Sequence, residues 1–199
     1  QLERLSARGY ELLIGLEVEW YLARILEGTL GTEHVGAPGR RGRAVATAPV
    51  EPGYSYHSES NLDIMQPVLG ELALAYDVLG LPLRSIENEW GPGQVECTFA
   101  AQPALKAADD YVLMRTATRQ ICRRHGYLAS FMCRPALPGY YPSGWHLHQS
   151  LAEKASGMNA FMSESGDERF TPIACQWLAG LLEHAAGTLV FATPTVNGY

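Results

Sequence analysis

Polar and apolar positions alternate most clearly near the start of the chain. In Tyr10–Leu22, YELLIGLEVEWYL, Leu16, Val18 and Trp20 fall on one side of an extended chain and Glu17 and Glu19 on the other. This predicts a strand. Residues 1–9 are short and polar and read as the tail of a helix. Residues 23–58 hold no sustained period and carry many Gly and Pro, which predicts a long loop. Asp63–Leu79 places Ile64, Val68, Leu69, Leu72, Ala75, Tyr76 and Leu79 at helical spacing, with Asn61 or Asp63 as cap and Gly80 as stop. Pro82–Glu89 and Gln94–Phe99 predict two strands around Gly91-Pro92-Gly93. Pro103–His125 predicts a helix whose inner side is Leu105, Ala108, Val112, Met114, Ala117, Ile121 and Cys122. Tyr127–Arg134 reads as a strand, Ala136–Pro142 as a loop, Trp145–Leu151 as a strand and 152–169 as a polar loop. Thr171–Phe191 reads as a last helix with its apolar side on the sheet. Strands in pairs separated by whole helices predict an α+β fold: a curved, mainly antiparallel sheet with helices packed on one face.

Composition narrows the class of protein. A chain of 199 residues, 47% hydrophobic and 18% charged, can bury a single core. A net charge of −6, with basic clustering only at Arg40, Arg41 and Arg43, argues against a nucleic-acid partner. Cys97, Cys122, Cys133 and Cys175 lack metal-type spacing and lie in apolar stretches. They read as buried reduced thiols, which fits a cytoplasmic protein. Nothing at the N-terminus reads as a signal peptide, and Glu183 and His184 interrupt the longest apolar stretch, so no membrane span is expected. The start at Gln1 and the end at Asn197-Gly198-Tyr199 read as the edges of a piece of a longer protein, incomplete at both ends.

Three pairs of residues carry candidate chemistry. His146 and His148, in SGWHLHQSL, point to one face of a strand and form a candidate metal or phosphate site; standing alone, such a pair reads as two ordinary hydrogen-bonded histidines. Glu17 and Glu19 share a strand face, which alone reads as the wet side of an edge strand. Glu89 and Glu96 flank the Gly-Pro-Gly reversal and can converge from adjacent strands. Four carboxylates brought together repel one another unless cations neutralise them. Oxygen-rich ligation completed by an imidazole suits Mg²⁺ or Mn²⁺ better than zinc, and the imidazoles argue against calcium. Two such ions in one cavity would serve phosphoryl-transfer chemistry.

The ordered set GLEVEWYL, ENEWGPGQVECTF, ASFMCRP, SGWHLHQSL and PTVNGY resembles the glutamine synthetase family over Leu16–Tyr199. The resemblance implies that residues 1–199 are a partial catalytic domain, without the small N-terminal domain and the rest of the catalytic domain. It implies that Glu19, Glu89 and Glu96 hold one metal and that Glu17 and His146 hold a second at the ATP phosphates. His148 would contact phosphate and the reacting carboxylate, and Ser150 would lie near the nucleotide base. The implied reaction is ATP-dependent: glutamate is phosphorylated on its side-chain carboxylate, and ammonia then displaces phosphate to give the γ-glutamyl amide. Three departures fall on the acceptor side: Tyr140-Tyr141-Pro142 before Ser143-Gly144, Asn88 before Glu89, and Cys133-Arg134 in ASFMCRP. They leave room for a polyamine or aniline-type amine in place of ammonia, with Tyr140, Tyr141, Trp90 and Trp145 as pocket candidates; Trp145 reads more simply as a core residue. A non-catalytic scaffold is the alternative outside enzymes. The family further implies a homo-oligomer with small-molecule substrates, and that these residues alone do not turn over.

Overall fold

The computed structural model describes every residue except Ala136, 164–168, Val196, Asn197 and Tyr199. Its central element is β1 (Tyr10–Ile25), which pairs antiparallel with five other strands. Along one edge of β1 run β5 (Gln102–Pro103), β4 (Gln94–Phe99) and β2 (Thr47–Pro49). Along the other run β7 (Trp145–Glu153) and β6 (Tyr127–Ser130), and β3 (Leu83–Asn88) extends the sheet beyond β4. The result is the expected α+β architecture: a curled antiparallel sheet with helices on one face.

Alternation in β1 separates two environments. Leu16, Val18, Trp20 and Leu22 point into the core, and Trp20 and Leu22 are fully buried. Helix α2 (Glu59–Val78) supplies Met65, Val68, Leu69, Leu72 and Tyr76 to that core; α3 (Ala104–Arg124) supplies Ala107, Met114, Ile121 and Cys122. Burial on this scale holds the sheet against the helices, at roughly 25 cal/mol per Å² of apolar surface removed from water. The opposite face of β1, carrying Glu17 and Glu19, is left for chemistry.

Several expectations are corrected. Ser58 caps α2, accepting from the Asn61 N–H at 3.3 Å, so the helix begins before Asn61 and Asp63. The inner stripe of α3 is also displaced: Leu105 and Val112 face water, while Asp110 and Thr118 face inward. Both polar groups are satisfied there. Asp110 accepts from Gln102 and Lys106, and Thr118 bonds Tyr76 and the Met114 carbonyl. A count of apolar positions does not register such pairs. The loop after β1 contains a 3₁₀ turn (Thr32–His34) and β2. Glu27 organises it by accepting from the Ala46 N–H, Arg43 and His34, which holds its carboxyl down at about 2.

The last helix divides into α4 (Pro172–Glu183) and α5 (Ala185–Ala192), preceded by a five-residue α1 (Leu2–Ser6) at the other end of the chain. The apolar side does not pack on the sheet as expected. Ala174 is the buried residue of α4, Leu182 and Phe191 are about four-fifths exposed, and a cavity of about 630 Å³ separates α5 from Trp145 and Leu147. Of the cysteines, Cys97 and Cys122 are buried as expected, Cys133 is partly covered, and Cys175 lies exposed on α4. Trp145 is not a core residue either: it stacks on Tyr111 of α3 at 4.5 Å and remains half exposed.

Candidate metal and acceptor site

Register fixes which side chains meet on the free face. Glu17 lies opposite His146 and Gly15 opposite His148, across β1 and β7. Glu19 lies opposite Glu96 across β1 and β4, and Glu96 opposite Glu87 across β4 and β3. Paired residues in an antiparallel ladder project to the same side. A row of carboxylates thus runs from β3 to β1 and ends on the two imidazoles of β7. Both histidines turn to the same side, as the two-residue spacing predicts, and both engage Glu17: His146 through Nδ1 and His148 through Nε2 at 2.9 Å.

Three side chains, Glu17, Glu96 and His146, bring one ligand atom each within 4.8 Å of one another. This group draws one member from the set assigned by resemblance to the first metal and two from the second. Glu19 is adjacent, with Oε1 3.8 Å from His146 Nε2. Glu89 stands just past the end of β3, where its carboxylate accepts the Trp90 N–H at 3.0 Å. Ser150 continues the His face of β7 two residues beyond His148.

The electrostatics fit a cation. Burial, then the charges of Glu17, Glu89, Glu87 and Glu19, push the Glu96 carboxyl up to about 7. Glu89 is raised by burial and by Glu19. Burial also acts to raise Glu17, but hydrogen bonds from His146 and His148 outweigh it and hold the group below the usual carboxylate range. His146 is raised in turn by its bond to Glu17. A face so crowded with acidic oxygens, completed by imidazole, suits a divalent ion with hard-ligand preference. Close approach is preserved at Gly144, where an added Cβ would lie 2.5 Å from both Glu19 Oε1 and His146 Nε2.

Two supports of this face lie outside the three residue pairs read from the sequence. Glu87 completes the row, and its spacing of two from Glu89 was the available signal. Gln94 orients Glu19 by donating Nε2–H to Oε2 at 2.7 Å, while its Oε1 accepts from the Gly91 N–H at 2.9 Å and the Tyr21 hydroxyl at 3.3 Å. Beyond Glu89 lies an aromatic group. Tyr54 meets Trp90 at 6.2 Å and Tyr141 at 6.0 Å, Tyr56 meets Trp90 at 5.4 Å, and Tyr140 packs on Tyr21 at 4.6 Å.

Fold and site together define a class: an α+β domain whose curved sheet turns a carboxylate and imidazole row away from its helical core. Comparison with known proteins then places it. A family model described as glutamine synthetase, catalytic domain, matches residues 1–199, and the chain belongs to that family. A gamma-glutamylanilide synthase of Acinetobacter sp is 43% identical over 199 residues, and a glutamine synthetase of Pyrococcus furiosus is 33% identical over 198. In both cases the match covers all of this chain and 40% of the relative, so the chain spans two-fifths of their length. Among solved structures, a GmaS/ADP complex superposes with a TM-score of 0.80 at 25% identity, covering all of this chain and 42% of that one. A Plasmodium falciparum glutamine synthetase gives the same TM-score at 17% identity, covers 100% and 41%, and supports the fold alone. Among the described residues no helix is long and apolar enough to cross a membrane.

Proposed function

We propose that the protein is an ATP-dependent ligase that joins the γ-carboxyl of glutamate to an organic amine. The γ-phosphoryl group of ATP passes to the glutamate carboxylate, ADP leaves, and the amine nitrogen attacks the acyl phosphate, expelling phosphate and losing a proton. One observation carries this reading: Glu89, whose carboxyl is raised by burial and by Glu19 of the row, accepts the Trp90 N–H, and the Trp90 ring packs with Tyr54 and Tyr56. Ammonia needs no apolar contact, whereas a ring or alkyl substituent does. The 43% identity to a gamma-glutamylanilide synthase supports the same choice over ammonia, the acceptor of the first expectation.

In this reading Glu17, Glu96 and His146 hold one cation, and Glu19 and Glu89 contribute to a second. Bound there, Mg²⁺ or Mn²⁺ would neutralise phosphate charge. His148, joined to Glu17 at 2.9 Å, is the residue for the phosphate and reacting carboxylate, and Ser150 lies on the nucleotide side. Because the chain spans 40% of its relatives, catalysis is proposed to need a protein of their length, assembled as a homo-oligomer, and not these 199 residues alone.

The test is phosphate release by a protein of that length with Mg²⁺, ATP and glutamate, against ammonia, methylamine and aniline. The highest kcat/KM is expected with aniline. Preference for ammonia would return the acceptor to glutamine synthetase chemistry. No release with any amine, together with unchanged tryptophan fluorescence on Mn²⁺ addition, would leave a scaffold.

A further inference from the structure

The segment that carries Tyr54 and Tyr56 is an unusual piece of backbone. Tyr54 and His57 both adopt positive φ, 63° and 51°, which non-glycine residues avoid unless their surroundings impose it. Its main chain is tied to the reversal after β3: the Tyr54 N–H donates to the Trp90 carbonyl at 2.6 Å, and the His57 N–H to the Asn88 carbonyl at 3.1 Å. One side chain fastens the joint. Glu51 is 4% exposed, and its carboxylate accepts from two backbone N–H groups, that of Gly53 in the aromatic segment and that of Gly93 in the reversal. The Gly93 carbonyl in turn accepts the Leu22 N–H of β1 at 2.8 Å, so Glu51 links the segment to the central strand. The two backbones touch closely enough that an added Cβ at Gly53 would lie 2.6 Å from the Pro92 nitrogen.

We infer that Glu51 is a positioning residue for the acceptor amine: its buried carboxylate locks the aromatic segment to the reversal and so sets the rings of Tyr54, Tyr56 and Trp90 at a fixed distance from Glu89. The inference rests on the proposed ligase reading, in which those rings receive the amine. A buried carboxylate is costly unless fully hydrogen-bonded, and a purely apolar residue could fill the same volume. The acid is explained by the two N–H groups it joins, which belong to separate segments that must move together. The two hydrogen bonds of Glu51 go to neither the carboxylate row nor the histidines, so its loss should loosen one side of the site only.

The experiment uses Glu51→Gln, which keeps the volume but turns an amide NH₂ toward one of the two N–H donors. The expected result is at least a tenfold rise in KM for aniline, with KM for ATP and for glutamate within twofold of the parent. An unchanged aniline KM would overturn the inference, and so would an equal rise in all three constants, the mark of general loosening. A second measurement does not depend on the variant. In the parent protein, amide exchange at Gly53 and Gly93 should be slowed alongside Val95 and Cys97 of β4; fast exchange at either glycine overturns the bridge. If the parent forms no γ-glutamyl amide with aniline or methylamine, the organic-amine reading fails on its own, and the exchange result still decides whether Glu51 joins the two segments.

Discussion

Glu96→Gln is the sharpest probe of the carboxylate row. In the unfolded chain Glu96 ionises near 4.5, and in the folded, metal-free protein near 7. The folded form therefore resists ionisation. The penalty is small at pH 4.5, grows as pH rises between the two values, and is complete above 7. From 4.5 to about 7, at 1.4 kcal/mol per tenfold change, this amounts to about 3 kcal/mol. Glutamine has nearly the same shape and no charge, so it removes the penalty. For a chain of this size each kcal/mol moves Tm by about 2–4 °C, so the variant should melt roughly 6–12 °C above the parent at pH 8. At pH 4.5 the two should nearly coincide. Saturating Mn²⁺ should reverse the order at pH 8, because the parent gains a ligand and loses its repulsion together. Thermal melts followed by circular dichroism, with EDTA or Mn²⁺, make the comparison. A Tm difference that is the same at both pH values would refute the account of Glu96 as the centre of a repelling cluster.

Other substitutions probe neighbouring features. Gly144→Ala should weaken Mn²⁺ binding at least tenfold in a tryptophan-fluorescence titration with little change in metal-free Tm, because its methyl would occupy the space between Glu19 Oε1 and His146 Nε2. Tyr76→Phe should lose about 1 kcal/mol in urea unfolding, the value of one buried hydrogen bond, here made to Thr118 at 2.5 Å.

Much of the fold was legible in the pattern of residues. The alternation around Leu16, Val18 and Trp20 located β1 and both of its faces, and the spacing of His146 and His148 placed them together on one side of β7. These are local facts: extended chain sends every second side chain the same way whatever lies around it. What failed was burial that depends on a polar partner or a covering layer. The inward turn of Asp110 and Thr118 depends on Gln102, Lys106 and Tyr76, which are supplied by a neighbouring strand, the preceding helical turn and a second helix. Trp145 and the apolar side of α4 and α5 were assigned to a core that does not extend over them.

The candidate site divides along the same line. The sequence by itself determined its ingredients, acidic residues in strand-spaced pairs with two imidazoles, and the motifs that identify the family. The tertiary structure alone decided how they combine. Strand register set Glu96 between Glu87 and Glu19 and put His146 opposite Glu17. The folding-back of residues 51–57 onto the reversal brought Glu51 to Gly93, forty-two positions away. Neither follows from composition or period, because pairing partners and loop closure are chosen by the energy of the whole packed chain.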